Sequence, residues 1–224
     1  MEVRIVEQTE ECDILNIWGR FKLRVFRVEH RPEQFATVSA IYLGDLDDDA
    51  IVRINGACIT SESFGDTHCD CKWQLDEAFR MITEAGNGLI LYTPDEGRGI
   101  GLFHKVRTMR LQQNQGYTTA GAFRDLGFHQ DERNYQIAKP ILRWFGLKKI
   151  RLISNNPDKI ELMAEAGLEV TEVIPVAAVH FSHLLPYLRS KRDEFGHLIV
   201  VPDDPVPVRA GNGSARTDSQ RSDG

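Results

Sequence analysis

From residue 18 to 28 the apolar Phe21, Leu23 and Val25 alternate with Arg20, Lys22 and Arg24, the two-residue period of a strand with one face in a core. Residues 36–43 repeat that period, an acidic turn follows at 45–49, and 50–54 makes a third strand, so the first third of the chain is expected to be mostly β. After Cys71 the period changes. Leu75, Ala78, Phe79 and Ile82 recur at helical spacing, and Gly86 and Gly88 end that helix before an apolar strand at 89–92. A glycine-rich turn at 95–101 leads into a helix from 102 to about 115. Ile137, Ala138, Ile141, Leu142 and Phe145 mark another helical stripe, which Pro140 is expected to interrupt. Residues 150–154 read as a strand, Asn155, Asn156, Pro157 and Asp158 as a helix cap with proline in the first turn, and 168–173 as a returning strand. The pattern predicts a mixed α/β fold: a mostly β N-terminal layer, then alternating strands and helices with a βαβ unit at 149–174. Beyond residue 203 almost nothing is apolar, which predicts one domain over 1–202 and a disordered tail over 203–224.

Composition narrows the function classes. The 224 residues carry 27 Lys and Arg against 33 Asp and Glu, a net charge of −6, so no overall basic field draws the chain to a nucleic acid polymer. Any anionic ligand must be held by local cations. No stretch approaches the ~20 apolar residues of a membrane span and the N-terminus has no signal-like apolar run, so a cytoplasmic protein is expected. Reduced thiols suit that compartment.

Three of the four cysteines fall in one stretch, Cys58, Cys69 and Cys71. Thiolates hold zinc tetrahedrally, a structural zinc normally taking four Cys or His ligands and a catalytic one three with a position left for water. Three cysteines hint at an open site, although His68 is available as a fourth ligand, and the spacing alone leaves catalytic zinc, structural zinc and buried free thiols all open. Cys12 stands apart and reads as a small packing residue. The turn at 95–101 offers backbone N–H groups to a phosphate, and Arg98, Lys105, Arg107 and Arg110 put four cations beside it; the alternative is a solvated basic helix face. Ser154, Asn156 and Lys159 follow the first strand of the βαβ unit, where such folds bind ligands.

The ordered blocks Cys58 with Cys69-Asp70-Cys71, Gln74-Leu75, Glu96-Gly97-Arg98 through Leu102, Gln115-Gly116-Tyr117, Leu126-Gly127-Phe128, Asp131-Glu132-Arg133 and Asn155-Asn156-Pro157 resemble GTP cyclohydrolase II, the zinc enzyme that opens the guanine ring of GTP at the head of riboflavin synthesis. Tyr187, Lys191 and Gly196-His197-Leu198 extend the resemblance to about Val200. It implies one zinc ion per chain on Cys58, Cys69 and Cys71, with an open position where water is activated to attack C8 of guanine. It further implies Asp131 as proton acceptor and Arg133 as the group attacking the α-phosphate with loss of pyrophosphate. GTP or a close guanine nucleotide would be held by Arg53, Gln74, Glu96, Gly97, Arg98, Thr119, Ser154 and Lys159, with Mg²⁺ on the triphosphate. Related enzymes imply a homodimer.

The chain also departs from that family. It has Asn55-Gly56-Ala57 where the family usually has His-Ser-Glu, His68 for an arginine, Lys72 for a glycine, 120–123 in place of Val-Glu-Ala-Asn, and Ser154 for a threonine. Met109 stands where the family has an active-site tyrosine. Leu102, Val106 and Met109 lie at i, i+4, i+7, so a packing methionine is one reading. The other is that loss of the phenol stops the reaction at the formylamino pyrimidine nucleotide, before formate leaves. Two alternatives stand beside it, the complete reaction with formate and a zinc-stabilised guanine-nucleotide-binding module without turnover.

Overall fold

The computed structural model describes residues 2–176 and 182–201, so the expected tail lies outside the described residues. In chain order the elements are β1 (Arg4–Gln8), β2 (Cys12–Asn16), β3 (Gly19–Arg31), β4 (Gln34–Leu43), β5 (Ile51–Gly56), a single turn α1 (Ile59–Glu62), α2 (Cys71–Ala85), β6 (Gly88–Thr93), α3 (Gly101–Gln115) and α4 (Thr119–Asp125). A 3-10 turn (Tyr135–Ala138), α5 (Lys139–Trp144), β7 (Lys149–Ile153), α6 (Pro157–Glu165), β8 (Glu169–Ile174) and α7 (Leu185–Phe195) complete it. The strands form one 8-stranded sheet, ordered β1-β3-β4-β6-β5-β7-β8 with β2 also on β3. Its N-terminal half is antiparallel and its β6-β5-β7-β8 half parallel.

Strand parity sorts the core into two layers. Val52 and Ile54 of β5, with Leu89 and Leu91 of β6, face Ile137, Ile141, Leu142, Leu162 and Met163 on one side. Ile51 and Ile90 face Ala78, Phe79 and Ile82 of α2 on the other. That parity also turns Arg53 toward the α2 side, where its guanidinium meets Gln74. Pro140 does not interrupt its helix; it lies in the first turn of α5, where its missing N–H would have had no partner. Cys12 is exposed on β2, so the packing role expected for it is corrected: the β2–β3 ribbon leaves that position in solvent. The α3 helix buries Thr108, whereas Leu102 and Val106 are 36% and 53% exposed. The stripe that would have made Met109 a core residue therefore faces water at its other positions.

Gly88 opens β6 where α2 crosses most closely. A Cβ there would sit 2.6 Å from Ile51 O and 2.7 Å from Ile82 Cγ1, so something must shift. Gly88→Ala is expected to lower stability by about 1–3 kcal/mol, read as a lower urea midpoint at unchanged slope.

Candidate active site

The sheet parts where the site lies. β5 pairs with β7 only at Ile51 and Val52, so the carboxyl ends of the two strands diverge beyond that point. The freed carbonyl of Ile54 accepts a hydrogen bond from Lys159 Nζ at 2.7 Å, and the buried lysine reaches in from α6 to fill the gap. Asn156 caps α6 with its side chain, while the Ser154 hydroxyl accepts from Asn156 N–H. Ligands enter open α/β sheets at such divergence points.

Beyond β5 the chain reaches Cys58, and Cys69 and Cys71 bracket the start of α2. The three sulfurs lie within 4.8 Å of one another, and Cys58 Sγ to Cys69 Sγ is 3.6 Å. A tetrahedral metal with 2.3 Å bonds to sulfur places its thiolates roughly 3.8 Å apart, so the donor set and spacing fit zinc. His68 does not join them. Its Nδ1 is 2.6 Å from Asp66 Oδ1 and its side chain is largely exposed. Hydrogen bonds from Cys69 and Cys71, followed by the charge of Lys105, pull the Cys58 thiol far below its ordinary value. Lys105 Nζ stands 3.1 Å from Cys58 Sγ and 2.7 Å from Glu96 Oε1. It therefore neutralises the thiolate centre, while Arg107 and Arg110 point to solvent; the four-cation cluster read from sequence is split.

One cavity gathers Cys58, Cys69, Cys71, Arg53, Gln74, Gly97, Arg98, Met109, Thr119, Arg133, Ser154 and Lys159. Lys105 and Met109 are i and i+4 on α3, so the methionine shares the face that meets the cysteines. Two expected site residues stand behind the wall instead. Glu96 accepts from Ile59 N–H at 2.6 Å as well as from Lys105, and Asp131 is engaged by Arg133. Arg133 Nε donates to Asp131 Oδ1 at 2.8 Å and to Oδ2 at 3.1 Å, and Nη2 donates to Oδ2. Burial alone would raise the Asp131 pKa, but the bonds and charge of Arg133 outweigh it and hold the carboxylate below its usual range.

Arg98 lies in the loop between β6 and α3 with φ +58°, a left-handed conformation seldom adopted by a side chain of that size. Its carbonyl accepts from Glu132 N–H at 3.0 Å. Gly99 follows at φ +90°, where a Cβ would lie 2.6 Å from the Glu132 backbone carbon, so only glycine lets the two loops touch. The Arg98 guanidinium lies 3.7 Å from the centre of the Phe195 ring, its Nη1 buried without a hydrogen-bond partner among the described residues. A buried, unpaired donor on a residue that lines the cavity suits an anionic ligand.

Several lining residues have no role in the sequence reading. Tyr187, Lys191 and His197 come from α7 and its C-terminal cap, and Asp95 from the loop after β6. Burial, followed by the charges of Lys191, Arg98, Arg133 and Lys159, pushes His197 down to about 3, so it is a neutral imidazole at neutral pH. The Leu184, Leu185, Leu188 run was the available sequence signal for α7.

Residues 7–175 match GTP cyclohydrolase II, three quarters of the chain and all three clustered cysteines. The chain belongs to the GTP cyclohydrolase II family. Among its relatives, a GTP cyclohydrolase-2 of Hahella chejuensis is 41% identical over 201 residues, covering 89% of this chain and 95% of that protein. A GTP cyclohydrolase-2 of Histophilus somni is 40% identical over 197 residues, covering 87% and 89%. The riboflavin biosynthesis protein RibBA of Cytophaga hutchinsonii is 44% identical over 200 residues, and the chain spans 49% of its length. No helix among the described residues is long and apolar enough to cross a membrane.

Proposed function

We propose that this GTP cyclohydrolase II family member opens the imidazole ring of GTP, or of a close guanine nucleotide, with release of pyrophosphate, and that it stops at the formylamino pyrimidine nucleotide. The observation that carries the reading is a single cavity shared by three metal-competent thiols, Met109, the guanidinium groups of Arg53, Arg98 and Arg133, and the amine of Lys159. Cys58, Cys69 and Cys71 would hold a zinc ion, which when bound would supply water of lowered pKa, about 7, as the hydrolytic nucleophile for C8. Arg98 and Lys159 bind the phosphates, and Gln74, Gly97, Thr119 and Ser154 offer amide, backbone and hydroxyl groups to the rest of the nucleotide. Glu96 serves the site through Lys105 and the N–H of Ile59.

Arg133 is assigned to the α-phosphate. Nucleophilic attack by its guanidinium forms a P–N bond, breaks the bond to the pyrophosphate oxygen and must shed an N–H proton, and Asp131 lies 2.8 Å from Nε to receive it. The ion pair holds that proton firmly on Arg133 at rest, so transfer has to accompany bond formation. Mg²⁺ on the triphosphate and a homodimer complete the reading. The dimer is supported by the apolar Leu102, Phe103 and Val106, left exposed together on α3.

The test is product analysis from GTP with the zinc-loaded protein. Mass spectrometry is expected to show the formylamino nucleotide with stoichiometric pyrophosphate and little formate. Stoichiometric formate would return the full reaction to this chain, and GTP binding without turnover would make it a nucleotide-binding module. Arg98→Gly separates binding from folding at the same site. Glycine accepts φ +58° without strain, which offsets the lost contact with Phe195, so the variant is expected to stay close to the parent in thermal unfolding while kcat/KM falls by about 10–100-fold, the worth of one charge-assisted bond.

A further inference from the structure

The wall of the cavity built by α7 is tied to the cysteine turn by a buried ion pair. Lys191 Nζ lies 2.6 Å from Asp70 Oδ1, and the two side chains are 7% and 0% exposed. Asp70 sits between Cys69 and Cys71 at the N-cap of α2, a position from which aspartate ordinarily accepts from the N–H groups of its own helix. Here the side chain makes no such bond. Both oxygens are turned to other partners: Oδ1 to a lysine 121 residues away and Oδ2 to Gln74 Nε2 at 2.6 Å. Gln74 Oε1 accepts in turn from Arg53 Nη2 at 2.9 Å, and Arg53 Nε donates to Asn55 Oδ1 at 3.0 Å, so the chain of contacts ends on β5 in the cavity floor. On the other side Lys191 Nζ lies 4.5 Å from the centre of the Tyr187 ring, and the Lys191 carbonyl accepts from His197 N–H at 3.1 Å. Apolar contacts of Leu184, Leu185 and Leu188 with Trp73 press α7 against α2. Such contacts are non-directional, and the ion pair supplies the directional constraint.

We propose that Lys191 is a positioning residue for the metal-binding turn: through Asp70 the α7 helix fixes the Cys69 and Cys71 thiols at ligating separation. Through Tyr187 and His197 the same clamp shapes the nucleotide cavity. Two buried charges are costly to keep where an apolar pair would pack as well, and a partner that orients metal ligands is a use that retains them. The proposal rests on the reading of the three cysteines as zinc ligands.

The test compares Lys191→Met, Lys191→Arg and the double variant Asp70→Asn/Lys191→Met with the parent, by zinc release to a chromophoric chelator and by amide exchange of residues 66–75 in the metal-free protein. Lys191→Met is expected to release zinc about 10–100-fold faster, the usual effect of losing a partner behind the ligands, and to exchange faster at 66–75. Lys191→Arg should stay near the parent. The double variant, which buries no lone charge, should recover the thermal midpoint and still release zinc quickly; it also carries the test if Lys191→Met does not fold. Parent-like release and exchange in the double variant would reduce the pair to a stability element and overturn the proposal. A parent that binds no zinc would instead overturn the metal reading, and the exchange arm would still decide whether α7 holds the turn.

Discussion

Cys69→Ser protein is expected to purify without stoichiometric zinc and to open no guanine ring, a loss of activity to background. Among the described residues the three sulfurs within 4.8 Å form a donor set with no reserve, since the neighbouring His68 is turned to Asp66. A serine hydroxyl is a harder and far weaker ligand than a thiolate and does not ionise near neutral pH, so two thiolates would be left to hold the ion. Cys58→Ser and Cys71→Ser should behave alike. Cys12→Ser is the control: exposed on β2, it should alter neither metal content nor turnover. Elemental analysis and an ultraviolet assay on the same samples decide the matter, and full zinc occupancy with intact activity in Cys69→Ser would sink the assignment.

The second large effect is a gain. Met109→Tyr is expected to raise formate release by ~10²–10⁴, the usual worth of positioned proton transfer, while ring opening changes little. Removing formate requires expulsion of a poor amine leaving group, which must be protonated as it departs. A phenol can deliver that proton or orient water for the second hydrolysis, and a thioether can do neither. Position 109 can serve this purpose because it lines the cavity one turn after Lys105, whose ammonium is 3.1 Å from Cys58 Sγ. Asn55, Gly56 and Ala57 line the same cavity, so the replacement is best made in the parent and in an Ala57→Glu background. Simultaneous assays of formate and pyrophosphate distinguish the outcomes; equal stoichiometry of both from the unmodified protein would mean that Met109 only packs.

The sheet was legible where one periodicity ruled. β3, β4, the α2 stripe and the β7–α6–β8 unit follow from alternation or helical spacing because each buries one face against a single layer. β1 and β2 escaped because their residues are mostly exposed, so no alternation marks them. The thiol cluster was visible as spacing. Its electrostatics were not: Lys105 turns to Cys58 and Glu96 rather than to solvent, a tertiary pairing that no local pattern encodes. Likewise Asp70 and Lys191, 121 residues apart, are an ordinary acid and an ordinary base until the fold buries them together.

The exposed Cys12 has a practical consequence. If zinc screens the other three, clustered thiols, β2 carries one exposed sulfur on a strand that, among the described residues, pairs only with β3. A maleimide dye added to holoprotein would attach once, at a known address, giving a single-site fluorescent reporter, whereas chelation would open three further positions to the reagent. The ratio of labelled thiols before and after chelation then becomes a direct gauge of metal loading, and the same sulfur calls for a reductant whenever the protein is stored concentrated.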